Sequence, residues 1–178
     1  MIKRKQFLIL ILILSVFSGQ KIYSQEQNQR DFSGWEFLKW KTNKINAEKI
    51  VKEKGIEIRN EYSDPAYEKI TRFEYEEMNT SLYFDSLNQL SSVEQHKNFD
   101  VVQGKEAKVF FEKVKKQLLK KFGKADQETD DKEKEIVTMI WNLKYSKVYL
   151  TYDYKYKIID EMGCCSYNVT IKTNPVIN

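Results

Sequence analysis

Cysteine is nearly missing from this 178-residue chain, which has only the neighbours Cys164 and Cys165. Joining adjacent residues closes no long loop, so a disulfide-stapled scaffold is excluded. Adjacent Cα atoms lie about 3.8 Å apart across a trans peptide, short of the roughly 4.4–6.8 Å of ordinary disulfides. The pair therefore reads as two free thiols, with a strained vicinal bridge or an intermolecular bridge through Cys164 as alternatives. Histidine is scarcer still: His96 stands alone in Glu94-Gln95-His96-Lys97-Asn98. That excludes His-Glu-x-x-His zinc sites and multi-histidine metal cages. No Gly-x-Ser-x-Gly elbow supplies a nucleophile to pair with it, so His96 reads as a solvated strand-end residue. Six glycines, none closer than 15 residues to the next, form no phosphate-cradling loop. The acidic stretch Asp126 to Asp131 also lacks the glycine and terminal glutamate of a calcium loop.

An excess of one charge is missing from most of the chain. Thirty lysines and arginines face 26 acids, but Lys3, Arg4, Lys5 and Lys21 fall in the first 24 positions, which hold no acid. The remainder is formally neutral, which removes nucleic acid as a partner, because that needs basic residues clustered on the folded domain. Long hydrophobic runs are absent too. The one apolar run, Phe7 to Leu14 continued by Val16 and Phe17, falls well short of the roughly 20 residues a membrane-spanning helix needs. With Lys3-Arg4-Lys5 before it and small, polar residues after it, the run has the order of a secretory signal peptide. Residues 1–24 are expected to be that signal, cleaved after Ser24, with an uncleaved anchor as the alternative. Residues 25–31 read as a flexible linker and 32–178 as a single domain. The protein is expected to be bacterial and exported, periplasmic or extracellular, with no membrane span after cleavage.

Within the domain, Trp35, Leu38 and Trp40 form a dense apolar cluster. Thr42 or Asn43 then caps a helix that runs through Ala47, Ile50 and Val51 to a glycine stop at Gly55. Ile70 to Glu77, Ser81 to Asp85 and Leu90 to Gln95 read as strands, with hairpins at Met78-Asn79-Thr80 and Ser86-Leu87-Asn88-Gln89. Ala107, Phe111, Val114, Leu118 and Phe122 recur at helical spacing with Phe110 alongside, giving one apolar stripe that ends at Gly123. Leu118, mid-stripe, is expected in the core. After a charged loop from Asp126 to Lys134 come strands over Glu135 to Leu143, Ser146 to Tyr156 and Cys165 to Thr173. Val148, Leu150, Tyr152 and Tyr154 alternate with Lys147, Thr151 and Asp153, and Tyr149 is the one large aromatic on the polar side.

The order is helix, three strands, helix, three strands. Lys54-Gly55 falls on Phe122-Gly123 at an offset of 68, and Leu82-Tyr83-Phe84 on Val148-Tyr149-Leu150 at 66. This reads as a diverged duplication with repeats over about 32–100 and 101–178. The expected fold class is α+β: two helix-plus-three-strand repeats, an antiparallel sheet with helices packed on one face.

These residues resemble exported proteins built from tandem helix-plus-hairpin repeats, such as beta-lactamase inhibitory protein and the small outer-membrane-assembly lipoproteins. Trp35 to Trp40, a polar cap at Thr42 and a helix closed by Lys54-Gly55 look like that group's opening, and Leu118 to Gly123 looks like its second copy. The chain departs from the pattern at Lys41, where the group has glycine, and in lacking its disulfides or lipobox. The resemblance implies a non-catalytic module that binds another protein or an envelope component, and it transfers no contact residue.

The expected function is accordingly an exported, non-catalytic protein-binding or scaffolding module of the cell envelope, with no catalytic, metal or cofactor residues assigned. Tyr83 and Tyr149, at matching repeat positions on the polar side of their strands, form the candidate binding surface, since tyrosines on rigid strands bring contact area at low entropy cost. One alternative is a binder of a small apolar or lipid ligand, signalled by a void lined by Phe111, Tyr152 and Tyr154. Another is a carboxylate-dependent hydrolase drawing on Glu74, Glu76 and Glu77 or Asp130, Asp131 and Glu133, which needs two acids of raised pKa in one pocket.

Overall fold

The computed structural model describes residues 32–59, 69–154 and 166–176. The leader, the linker and the Cys164-Cys165 pair lie outside the described residues, and so does the reading of that pair as free thiols.

Asn43 caps the first helix, α1 (Lys44–Glu53), by accepting from the Asn46 amide at 2.9 Å. Past its end Gly55 sits at φ +74°, a left-handed position that costs glycine least. Two short paired strands precede it, β1 (Gly34–Trp35) and β2 (Leu38–Lys39). A Cβ on Gly34 would stand 2.0 Å from the Leu38 carbonyl oxygen, so only glycine permits this close turn. Three strands follow α1: β3 (Ile70–Tyr75), β4 (Met78–Phe84) and β5 (Leu90–Asp100). A short 3₁₀ turn, Val101–Gln103, leads into α2 (Gly104–Phe122). The chain then adds β6 (Gln127–Asp131), β7 (Ile136–Asn142), β8 (Ser146–Asp153) and β9 (Ser166–Pro175).

The expected α+β class is overturned. Strand takes up 49% of the described structure against only two helices, and seven strands form one antiparallel sheet in the order β3-β4-β5-β9-β8-β7-β6. The protein is mostly β, not a pair of helix-plus-three-strand repeats with helices packed on one sheet face. Two facts break the repeat: α1 has 10 residues and α2 has 19, and the second half contributes four strands rather than three. The extra strand, β6, is the Gln-Glu-Thr-Asp-Asp segment read as a charged loop. Its composition disfavours a strand, but as an edge it needs only backbone pairing to β7, and its carboxylates discourage a further strand from adding.

Two other boundaries move for physical reasons. The first hairpin turns at Glu76-Glu77, with φ of +50° and +65°, rather than at Met78-Asn79-Thr80. Both central residues of a tight two-residue hairpin need that left-handed backbone. The shift brings Met78 and Thr80 into β4, where both are buried. Strand β5 runs on to Asp100, so His96 lies mid-strand and not at a strand end.

Buried side chains form two clusters. One gathers Phe110, Phe111 and Val114 of α2 with Met139, Trp141, Val148, Leu150 and Val169 from the sheet. The other gathers Ala47 and Val51 of α1 with Phe73, Leu82, Leu90 and Val93, closed by Trp35 and Leu38. The segment from Phe32 to Thr42 straps the two together. Trp35 Nε1 donates to Gln95 Oε1 at 3.1 Å, and Trp40 Nε1 donates to Ser146 Oγ at 2.8 Å. The Ser146 hydroxyl in turn donates to the Phe32 carbonyl at 2.6 Å. Trp141 pins the end of α2 by donating to the Gly123 carbonyl at 2.9 Å.

Leu118 is only partly buried, at the margin of the first cluster, because it borders open space beside α2, although Phe122, one turn further along the same stripe, is buried. Leu150, by contrast, is fully buried. Leu150→Ala is expected to destabilise by about 2–5 kcal/mol through transfer and cavity terms. Leu118→Ala creates no new closed cavity and should cost less than about 2 kcal/mol. Denaturant titration of both variants checks this, and equal losses would show the burial difference to be wrong.

Candidate functional site

Antiparallel pairing places opposed residues on the same face, so the register of the sheet also defines rows of side chains across it. On the face away from the two buried clusters, one row crosses all seven strands: Thr129, Thr138, Thr151, Thr170, His96, Asn79 and Glu74. The next row runs Gln127, Ile140, Tyr149, Lys172, Glu94, Ser81 and Arg72. Hydroxyls, amides and paired charges dominate both, and no described helix lies over them.

Tyr83 and Tyr149 both stand on this face, as the alternation of their strands requires. Tyr149 lies in the second row, and Tyr83 lies opposite Ser92 in the adjacent one. Three strand steps separate them, roughly 14 Å at the usual spacing. Both are half-buried rather than fully exposed. Lys147 Nζ sits 5.1 Å above the Tyr149 ring. Burial, and secondarily the carboxylate of Glu94, push the Tyr83 phenol above its ordinary pKa. Sequence reasoning missed that Tyr83 borders a groove of about 380 Å³ with Arg59, Arg72, Asn79, Ser81 and His96. No local signal foretold it, because its residues come from three strands and the segment before β3. Arg59 reaches Glu74 at 3.0 Å along its edge.

The opposite face holds a second concavity, of about 520 Å³. It is not the void expected at Phe111, Tyr152 and Tyr154: Phe111 and Tyr152 stack with ring centroids 5.0 Å apart, and Tyr152 and Tyr154 lie at 5.7 Å. The cavity opens instead over the junction of β5 and β9, floored by Gln95, Ile171, Thr173 and Val148. Helix α2 forms one wall, and Phe32 and Trp35 form another. Its mouth carries Glu36, Glu76, Glu77, Lys113 and Lys121. Lys121 pairs with Glu36 across it, and Lys113 reaches Glu77 at 2.9 Å.

The acids noted in the sequence are mostly tied to cations. Glu77 also pairs with Lys97 at 3.1 Å, and its hydrogen bonds from Lys113 and Lys97 hold its carboxyl below the ordinary glutamate value. Hydrogen bonds from Lys132 and from the Lys134 backbone likewise lower Asp130 and Asp131. A hydrolytic general acid needs the reverse shift. Among the described residues no group of three or more His, Cys, Asp or Glu side chains is placed to hold a metal, and no helix is long and apolar enough to cross a membrane.

Because the folded pKa of Glu77 is depressed, the stability its ion pairs contribute is present above the unfolded glutamate pKa of about 4.3 and is lost as pH falls below it. Glu77→Gln should therefore lower stability near neutrality and flatten the fall on the acid side. Thermal melts of both proteins from neutral pH down through the acid range check this, and parallel curves would contradict the assigned pairs.

A scan of protein-family models gives no match to this chain, and no curated protein matches it. Among solved structures, a DUF4309 family protein (YjgB) from Bacillus subtilis subsp. subtilis str. 168 is similar, at 8% identity and TM-score 0.36, over 72% of this chain and 77% of that one. A likeness of that degree carries no argument about function.

Proposed function

We propose that the protein is an exported, non-catalytic binding module of the bacterial envelope that engages a protein partner through the open face of its seven-stranded sheet. The observation that carries this reading is the pair of mostly polar rows crossing that face, with Tyr149 in one of them and Tyr83 in the row adjacent, both on rigid strands. Such a surface offers many hydrogen-bonding groups held by backbone pairing, so little order is lost when a partner docks. Tyrosine with serine, threonine and asparagine is also a composition that protein-recognition surfaces favour, since the rings give contact area and the small polar groups adapt their hydrogen bonds. Export is supported by the basic, apolar and small-residue order of residues 1–24.

The test uses the mature domain as bait against envelope extracts of the exporting cell. Tyr83→Ala and Tyr149→Ala, each confirmed folded by thermal melts, are expected to weaken capture of the partner. A central anchor is worth at least about 2 kcal/mol, or roughly thirtyfold in affinity. Undiminished capture by both folded variants would remove this face from consideration.

A further inference from the structure

We infer that one end of the sheet, where Ile45, Leu87, Tyr145 and Val176 project among lysines, is a docking surface for a bilayer of anionic phospholipid. It is separate from the open face proposed to bind a protein, and it involves no span across the membrane.

Exposed apolar side chains are unevenly placed on the molecule. Among the described residues six large hydrophobics are exposed, and four of them stand at this end: Ile45 at 79%, Leu87 at 73%, Tyr145 at 43% and Val176 at 40%. The other two, Val102 and Val109, belong to α2 and the turn before it. Strand pairing sets the end of β4, the start of β5, the end of β9 and the start of β8 side by side. Backbone bonds then join the four residues in pairs. The Lys44 amide donates to the Asn88 carbonyl at 3.0 Å, which brings Ile45 alongside Leu87, and the Val176 amide donates to the Tyr145 carbonyl at 3.1 Å. Between the pairs runs the strap, with Lys41 and Thr42 bonded to Leu90 and Trp40 bonded to Ser146. One exposed apolar side chain is ordinary, but four gathered at one end form surface that a partner would cover.

The shape of this surface suits a soft partner. Its apolar residues stand on turns and element ends, not in a groove. Leu87 is fixed in its turn because the Asp85 carboxylate accepts the amides of Leu87 and Gln89 at 2.8 and 2.9 Å. Tyr145 lies in the turn between β7 and β8, which the Leu143 amide closes on the Ser146 carbonyl at 2.8 Å. Projecting tips need no matching wall and fit a layer that yields around them, as the headgroup region of a bilayer does. A tyrosine, apolar in its ring and polar at its hydroxyl, is suited to that level.

Charge selects the lipid. Over residues 39–48, 85–90, 124–126, 142–147 and 174–176, which form this end, six lysines face three acids. The acids are engaged within the fold: Asp85 in its turn, Asp126 on the Asn142 amide at 2.6 Å and Glu48 on the Thr71 hydroxyl at 2.8 Å. Lys144 holds its ammonium 4.9 Å from the Tyr145 ring, so a cation accompanies an apolar tip. At the opposite end, over residues 76–77, 97–106, 130–135 and 153, with Lys113 added for its bond to Glu77, nine acids face five lysines. The described domain thus carries surpluses of opposite sign at its two ends, and the lysine surplus coincides with the apolar tips. A molecule polarised in this way turns that end toward lipid phosphates and its acidic end away.

The experiment mixes the mature protein with sucrose-loaded vesicles, either of phosphatidylcholine alone or of equal parts phosphatidylcholine and phosphatidylglycerol, and measures the fraction that sediments with lipid. Saturable binding is expected on the anionic vesicles, with binding about tenfold or more weaker on the neutral ones. Raising the salt from about 0.1 M to about 0.5 M should weaken it. Leu87→Ser and Tyr145→Ser, each confirmed folded by thermal melts, should weaken binding about threefold or more. Lys144→Glu combined with Lys147→Glu should weaken it about tenfold or more, on the anionic vesicles only. Val109→Ser, an exposed apolar change on α2 away from this end, should leave binding as it was. No binding to anionic vesicles would overturn the proposal, as would equal binding to neutral ones or an equal loss in Val109→Ser. Self-association of the parent protein that Leu87→Ser abolishes, without vesicle binding, would make this end a contact between copies and overturn it too.

Discussion

Antiparallel pairing of β5 with β9 is what the rest of the molecule depends on. Eight residues of each strand, Val93–Asp100 and Ser166–Thr173, stand in register and join segments some seventy positions apart. Without that ladder the chain holds a three-stranded sheet and a four-stranded one, each with an uncovered edge; with it, there is one sheet with only β3 and β6 at its margins. Closing so long a loop costs entropy that rises only slowly with its length, while each added backbone pair and buried side chain contributes locally. Val93 and Val169, on the two strands, have no exposed surface, which shows how completely the junction is sealed.

The junction also explains why the inner side of the sheet holds a cavity. Side chains of α1 consolidate with β3, β4 and β5, and those of α2 with β7, β8, β9 and the far end of β5 at Phe99, so each helix has its own cluster. Between them the strap from Phe32 to Thr42 sets the Trp35 indole and ties it to Gln95, while Trp40 is drawn aside to Ser146. One indole does not fill the gap between two helices. The outer side has the opposite character, because strand alternation that buries valine, leucine and aromatics inward turns mainly threonine, asparagine and charged residues outward.

Surface ion pairs close the rim of that cavity without locking it. Exposed lysine–glutamate pairs are worth on the order of 1 kcal/mol or less, so the Lys121–Glu36 and Lys113–Glu77 links across the mouth can open at little cost. The carbon stems and ammonium groups of Lys97, Lys113 and Lys121 also lie near Phe110, Phe32 and Phe122, which shields aromatic rings that would otherwise face water.

Local chemistry was written plainly in the sequence. The Gly55 and Gly123 stops, the apolar periodicity of α2 and the inward alternation of β8 each depend on neighbours within a turn or a strand, and each formed where the residues indicated; of the two caps offered, Thr42 and Asn43, the structure uses Asn43. The side of the strand taken by Tyr83 and Tyr149 was legible for the same reason. What escaped depends on distant partners. β6 is a strand only because β7 offers it a backbone edge, since Gln-Glu-Thr-Asp-Asp has no strand preference of its own. The Glu76-Glu77 turn is set by the burial of Met78 against the first cluster, which outweighs the strain of two left-handed glutamates. Leu118 follows the helical stripe perfectly yet meets open space, because it faces the cavity beside α2, while Phe122 one turn on packs against Trp141. The equal repeats suggested by matched glycines dissolved once β5 found β9: a strand's neighbours are chosen by which edges remain free in three dimensions, and that choice has no signature within either segment.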